Sequence, residues 1–145
     1  MAIVEQDPFN LMRFVKVQNG DIYDTALKEL TGGKKRSHWM WYIFPQLSHL
    51  GHSYNSKYYG ISGIEEASAY LNDPILGQRL REVSMVILNL PTDNATEVFG
   101  GIDSKKLRSS MTMFDIVSPD DVFNSVLTKY FNGKRDSRTL ILLKS

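Results

Sequence analysis

The sequence has no cysteine among its 145 residues. That absence excludes disulfides, a thiol nucleophile, iron–sulfur clusters and thiolate-bound zinc together. Long apolar runs are also missing. The longest, Trp39 to Phe44, covers six residues, whereas a membrane-spanning helix needs about 20. Met1 to Asp7 carries neither a basic flank nor an apolar core, so the N-terminus does not read as a signal peptide. Charge imbalance is small. Lys and Arg number 17 against 16 Asp and Glu, a net +1, too little for a dedicated nucleic-acid binder. No glycine pattern of a dinucleotide fold or P-loop, no G-x-S-x-G and no H-E-x-x-H occurs. The expectation is a cytoplasmic protein with no cofactor, no metal centre, and neither membrane nor nucleic acid as partner.

What is present is ordinary for a globular chain: 42% hydrophobic residues, with 7 Tyr, 7 Phe and 2 Trp. Those side chains can offset the entropy of ordering the chain. One domain over 1–145 is expected, with 1–6 as a loose tail. The charges fall in blocks. Residues 34–59 carry four basic groups and no acid, and 60–103 carry two basic and seven acidic.

The punctuation is helical. Asp7-Pro8, Asp73-Pro74 and Ser118-Pro119 each pair a capping oxygen with a proline at a first helical position. Ser62 with Glu65 reads as a capping box, and Asp21, Asn94, Asp103 and Asp136 as further caps. Leu76, Leu80, Val83, Ile87 and Leu90 form a long stripe closed by Pro91. Trp39 to Phe44 suits a buried strand or a buried helix. With no second strand-like run to pair with, a helix capped at Ser37 and stopped by Pro45 is favoured. The fold expected is all-α, one compact multihelical domain of about seven to nine short helices.

Two segments could carry chemistry. In Lys34 to Gln46, three cations run directly into a block of aromatics. If Ser37 caps a helix, Arg36 and His38 flank its N-terminus, where free N–H groups and the macrodipole attract anions. Trp39 or Trp41 would supply a ring to stack on, and Gln46 a further polar contact. The bland alternative is that the aromatics are core and the cations solvated. In Asp103 to Thr112, Lys106 lies three and four residues from Ser109 and Ser110. A serine–lysine pair is one reading, although the spacing matches no established signature. Lys106, Arg108, Ser109 and Ser110 as anion ligands is the better one. His38, His49 and His52 have no carboxylate near them in sequence, so no metal site is expected.

Three stretches together resemble a known bacterial family. They are Asp7-Pro8-Phe9-Asn10-Leu11; Arg36-Ser37-His38-Trp39-Met40-Trp41 with Phe44-Pro45-Gln46; and Leu107-Arg108-Ser109-Ser110-Met111-Thr112 with Phe114. The family is domain of unknown function 1810, and the resemblance runs from about residue 7 to 143. It implies a multihelical fold with buried central helices and brings no established activity.

The functional expectation is a small enzyme or binding protein for a phosphorylated or nucleotide-like ligand, ADP-ribose-like being the concrete case. Arg36, Lys106 and Arg108 would hold the anion, and His38 would be the general acid–base. This requires residues 36–46 and 106–110 to converge. The alternative is a non-catalytic module that binds a protein partner through Tyr54, Tyr58 and Tyr59.

Overall fold

The computed structural model describes residues 6–144. Of the expected N-terminal tail only Gln6 falls within the described residues. The helices are α1 (Met12–Val17), α2 (Tyr23–Thr31), α3 (Met40–Ile43), α4 (Tyr54–Tyr58), α5 (Ile64–Asn72), α6 (Leu76–Leu88), α7 (Ala95–Phe99), α8 (Gly101–Val117), α9 (Val122–Phe131) and α10 (Ser137–Leu143). Among the described residues there is no strand, only one isolated parallel bridge between Leu47 and Ile61. The all-α expectation therefore holds.

Helix α8 is the axis. It buries Leu107, Met111, Met113 and Phe114 together with Ser109, Ser110, Thr112 and Asp115. Burial all around its middle turns is the mark of a helix inside the core rather than on its surface. Helices α5, α7, α9 and α10 pack against it, while α6 lies across α2, α5 and α9. Tilted aromatic pairs fill the joints. Phe114 meets Tyr70 at 5.5 Å and Phe123 at 5.7 Å between ring centroids, within the range of favourable ring pairs. Where α5 meets α6, a Cβ at Gly77 would collide with the Leu71 carbonyl, so only glycine lets the two backbones meet there.

Capping follows the expected devices with displacements. The Asp7 carboxylate accepts from Leu11 N–H at 2.8 Å and Met12 N–H at 2.9 Å, so Asp7 does cap, but α1 begins at Met12 rather than at Pro8. Asp73 likewise caps, accepting from Ile75 and Leu76 N–H, both at 2.9 Å, but α6 begins at Leu76 rather than at Pro74. Asn94 and Asp136 cap α7 and α10. Four expectations are corrected. The carboxylate bonded to Ser62 is Glu66, not Glu65, at 2.9 Å. Helix α9 starts after Asp121, whose carboxylate takes Val122 N–H and also the Ser118 hydroxyl, so Ser118-Pro119 forms the preceding turn. Asp103 lies inside α8, and Gly100 is its N-cap. Asp21, at φ 71°, is part of a kink with Gly20 between α1 and α2 and caps nothing.

Arg13 locks the α1 side. Its Nε donates to Tyr58 O at 2.7 Å, and Nη1 donates to Phe9 O at 2.6 Å and Asn10 O at 2.9 Å. Nη2 donates to Gly60 O at 3.0 Å and to Glu66 Oε2 at 2.8 Å. Every one of the five guanidinium N–H groups has an acceptor.

Candidate functional site

One carboxylate folds the segment between α2 and α3. Glu29 Oε1 accepts the Arg36 N–H at 2.7 Å, the Ser37 N–H at 2.9 Å and the Trp39 indole N–H at 2.8 Å. Its Oε2 takes the Ser37 hydroxyl at 2.5 Å. Burial pushes the Glu29 pKa up, but these four hydrogen bonds to the charged form outweigh it and hold it at about 2. The turn is anchored at its start too, because Lys35 N–H donates to Val98 O at 2.8 Å.

Beyond that turn the chain brings two lysines onto one acid. Lys35 Nζ lies 2.8 Å from Asp103 Oδ2, donates to Ser37 O at 2.5 Å and stands 5.0 Å from the Trp39 ring centroid. Lys106, one turn further along α8, reaches Asp103 Oδ1 at 3.4 Å and sits 4.2 Å above the Trp41 ring, a cation–π distance. Between the two walls is a cleft of about 360 Å³ lined by Lys35, His38, Met40, Trp41, Phe99, Gly100, Gly101, Ile102, Asp103 and Lys106. Gly100, at φ 82° and ψ 166°, adopts a conformation open essentially to glycine alone. It lets the chain pass directly from α7 into α8, and no side chain caps the α8 N-terminus.

Residues 36–46 and 106–110 therefore converge, but through fewer side chains than expected. His38, Trp41 and Lys106 meet at the cleft. Ser37 does not cap a helix: α3 starts at Met40 after Trp39, and Ser37 is spent on Glu29. Arg36 is exposed, and its backbone N–H also goes to Glu29. Trp39 is wholly buried, so no ligand can stack on it. Gln46 lies by the Leu47–Ile61 bridge, its carbonyl accepting from Ile61 N–H at 2.8 Å. Arg108 points the other way and holds the carbonyls of Lys134 and Arg135 at 2.8 and 2.9 Å. Ser109 is buried and bonded to Lys105 O at 3.2 Å, and Ser110 is buried without a partner. Lys106 Nζ is thus turned to Asp103 and Trp41, away from the serine–lysine arrangement.

Lys35, Asp103 and Glu29 were missed as organisers of this site. The signal for Lys35 was its place in the cation run before the aromatics, but nothing marked it as the member facing inward. Among the other clefts, one of about 430 Å³ also pairs an ammonium with a ring, Lys129 lying 5.3 Å from the Tyr130 centroid, but its Nζ already donates to the Leu88 and Leu90 carbonyls. One of about 390 Å³ offers His49, Ser62 and Glu65, with Ser62 already bonded to Glu66. Another, of about 510 Å³ and running from α6 to the start of α9, contains Arg81 already paired with Asp121 at 3.0 Å. Among the described residues no group of three His, Asp or Glu side chains is placed to hold a metal ion. No helix among them is long and apolar enough to cross a membrane.

The family model for the DUF1810 proteins, a family of unknown function, matches residues 8–143. The chain belongs to this family. Among solved structures, the crystal structure of the conserved hypothetical protein Rv1873 from Mycobacterium tuberculosis is similar at 44% identity and a TM-score of 0.93. The match covers 96% of this chain and 99% of that one. No curated protein matches the sequence.

Proposed function

We propose that this DUF1810 protein binds a small phosphorylated, nucleotide-like ligand in the cleft between the 35–41 turn and the start of α8. The observation that carries the reading is Lys106 held 4.2 Å over the Trp41 ring at the mouth of that cleft. An ammonium and a flat indole side by side are complementary to a ligand that joins an anion to a ring. Lys35 adds a second ammonium, and the uncapped start of a 17-residue helix adds backbone N–H groups with the positive end of its dipole. His38 lines the same cleft, is exposed, and is the general acid–base of any hydrolysis or transfer at the phosphate. ADP-ribose is the concrete case, with a phosphate on Lys106 and adenine on Trp41. The setting this reading assumes is a bacterial cytoplasm.

The test is ligand-dependent thermal shift over a panel of nucleotides and sugar phosphates, with Lys106→Ala and Arg36→Ala beside the wild type. A ligand at 100 times its dissociation constant adds about 2.7 kcal/mol to stability. The expected result is a shift that Lys106→Ala abolishes and Arg36→Ala leaves intact, since Arg36 lies outside the cleft lining. A flat panel with folded variants sinks the reading.

A second reading, a protein-interaction surface, is favoured by one observation. Tyr54 is 75% exposed and stacks on Tyr58 with ring centroids 5.6 Å apart and planes 6° from parallel. Exposed, pre-ordered aromatics are suited to anchoring an interface. A flat ligand panel together with an intact Tyr54–Tyr58 surface is the result that turns attention there.

A further inference from the structure

An acid sits between the two lysines of a cleft read as an anion site. The geometry of that acid is lopsided. Its Oδ2 is 2.8 Å from Lys35, whose side chain is only 8% exposed and also donates to Ser37 O. Its Oδ1 is 3.4 Å from Lys106, whose side chain is 21% exposed. The Lys35 contact is short, shielded and supported by a second bond. The Lys106 contact is longer and less shielded, so it holds the acid more weakly.

Resting on the ligand reading above, we propose that Asp103 is the specificity-determining residue of the cleft, an internal carboxylate that an incoming phosphate displaces from Lys106 while Lys35 retains it. Two consequences follow from charge alone. The carboxylate stays in place on Lys35 and repels whatever anion reaches Lys106. A bare anion therefore binds poorly, and a ligand gains a hold only if a ring on Trp41 adds enough to offset that repulsion. Asp103 thus discriminates for nucleotide-like molecules and against inorganic phosphate or pyrophosphate, an exclusion that works by building an unfavourable contact against the wrong partner.

Isothermal titration with two probes tests this: AMP, which carries ring and phosphate, and inorganic pyrophosphate, which carries no ring. Each is titrated into the wild type, Asp103→Asn and the double variant Asp103→Asn/Lys106→Ala. Removing one unit of like charge at this distance is expected to tighten AMP roughly tenfold and pyrophosphate by more, and the double variant is expected to lose the gain. Unchanged or weakened binding in Asp103→Asn overturns the proposal. If wild type and Asp103→Asn bind AMP equally, the cleft reading survives and only the role of Asp103 falls. If neither binds either probe, both fall. Asp103→Asn leaves Lys35 short of a partner, so its melting temperature is expected to drop. The rise on adding pyrophosphate then provides a second readout. A larger rise in the variant than in the wild type upholds the proposal, and an equal or smaller rise overturns it.

Discussion

Arg13 and Lys106 are both cations resting on an aromatic ring, and the molecule treats them oppositely. The Arg13 guanidinium lies 4.4 Å from the Phe14 centroid, and Lys106 Nζ lies 4.2 Å from that of Trp41. The Arg13 side chain is 7% exposed, finds an acceptor for all five donors and pairs at 2.8 Å with a Glu66 side chain that is 4% exposed. Lys106 has one ion pair at 3.4 Å. A cation with every donor satisfied is scaffold, since it has nothing left to offer a ligand. A cation with spare donors beside a ring is where a ligand can gain something.

The largest effect tests the scaffold half of the contrast. Arg13→Met leaves Glu66 buried without its partner and frees the carbonyls of Tyr58 and Gly60. The expected loss is about 3–5 kcal/mol in urea unfolding. A loss below about 1 kcal/mol would mean that the hub holds nothing together.

Glu29 comes next, as the carboxylate that shapes one wall of the cleft. Glu29→Gln exchanges charge-assisted bonds for neutral ones and is expected to cost about 1–2 kcal/mol, discounted because the site is partly solvated. The folded-state pKa of about 2 lies below the ordinary 4.5. The stabilisation is therefore complete above about pH 4.5 and is lost as pH falls toward 2. Stability measured between those limits is expected to fall less steeply in Glu29→Gln than in the wild type, and parallel profiles would remove Glu29 as the cause. The smallest effect sharpens the ligand half. Ser110→Ala removes a buried hydroxyl that has no partner, so stability is expected to stay within about 0.5 kcal/mol or rise. Its nucleotide response is expected to match the wild type. A lost response would restore the serine to the site.

The helical architecture was legible because it is written locally. Apolar residues at helical spacing, as in Leu76, Leu80, Val83 and Ile87, and short oxygen-bearing caps such as Asp73 and Asp136 act within a few residues of themselves. What misled was competition for those same oxygens. Ser37 had the makings of a cap, but Glu29, eight residues away, offers its hydroxyl and N–H a charged acceptor. Ser62 had Glu65 at capping-box spacing, but Glu66 is the residue facing inward to Arg13. The site was half legible. The juxtaposition of cations and aromatics pointed to the right segment, and Lys106 to the right helix. Which cation faces the cleft depends on the direction of each side chain from the helix, and that is fixed by packing. Lys106 and Arg108 are two residues apart on α8 and so leave it in different directions, one to Trp41 and the other to the 134–135 carbonyls.

The two tryptophans stand two residues apart in sequence and in opposite surroundings. Trp39 is fully enclosed with its indole N–H on the Glu29 carboxylate, and Trp41 is half-buried beneath an ammonium at the cleft mouth. The protein therefore carries two intrinsic fluorophores that an aqueous quencher can tell apart. Iodide or acrylamide reaches Trp41 and leaves Trp39 bright, and a ring entering the cleft shields the first without touching the second. Quenching thus reports filling of the cleft at Trp41 against Trp39 as an internal reference, with no label attached.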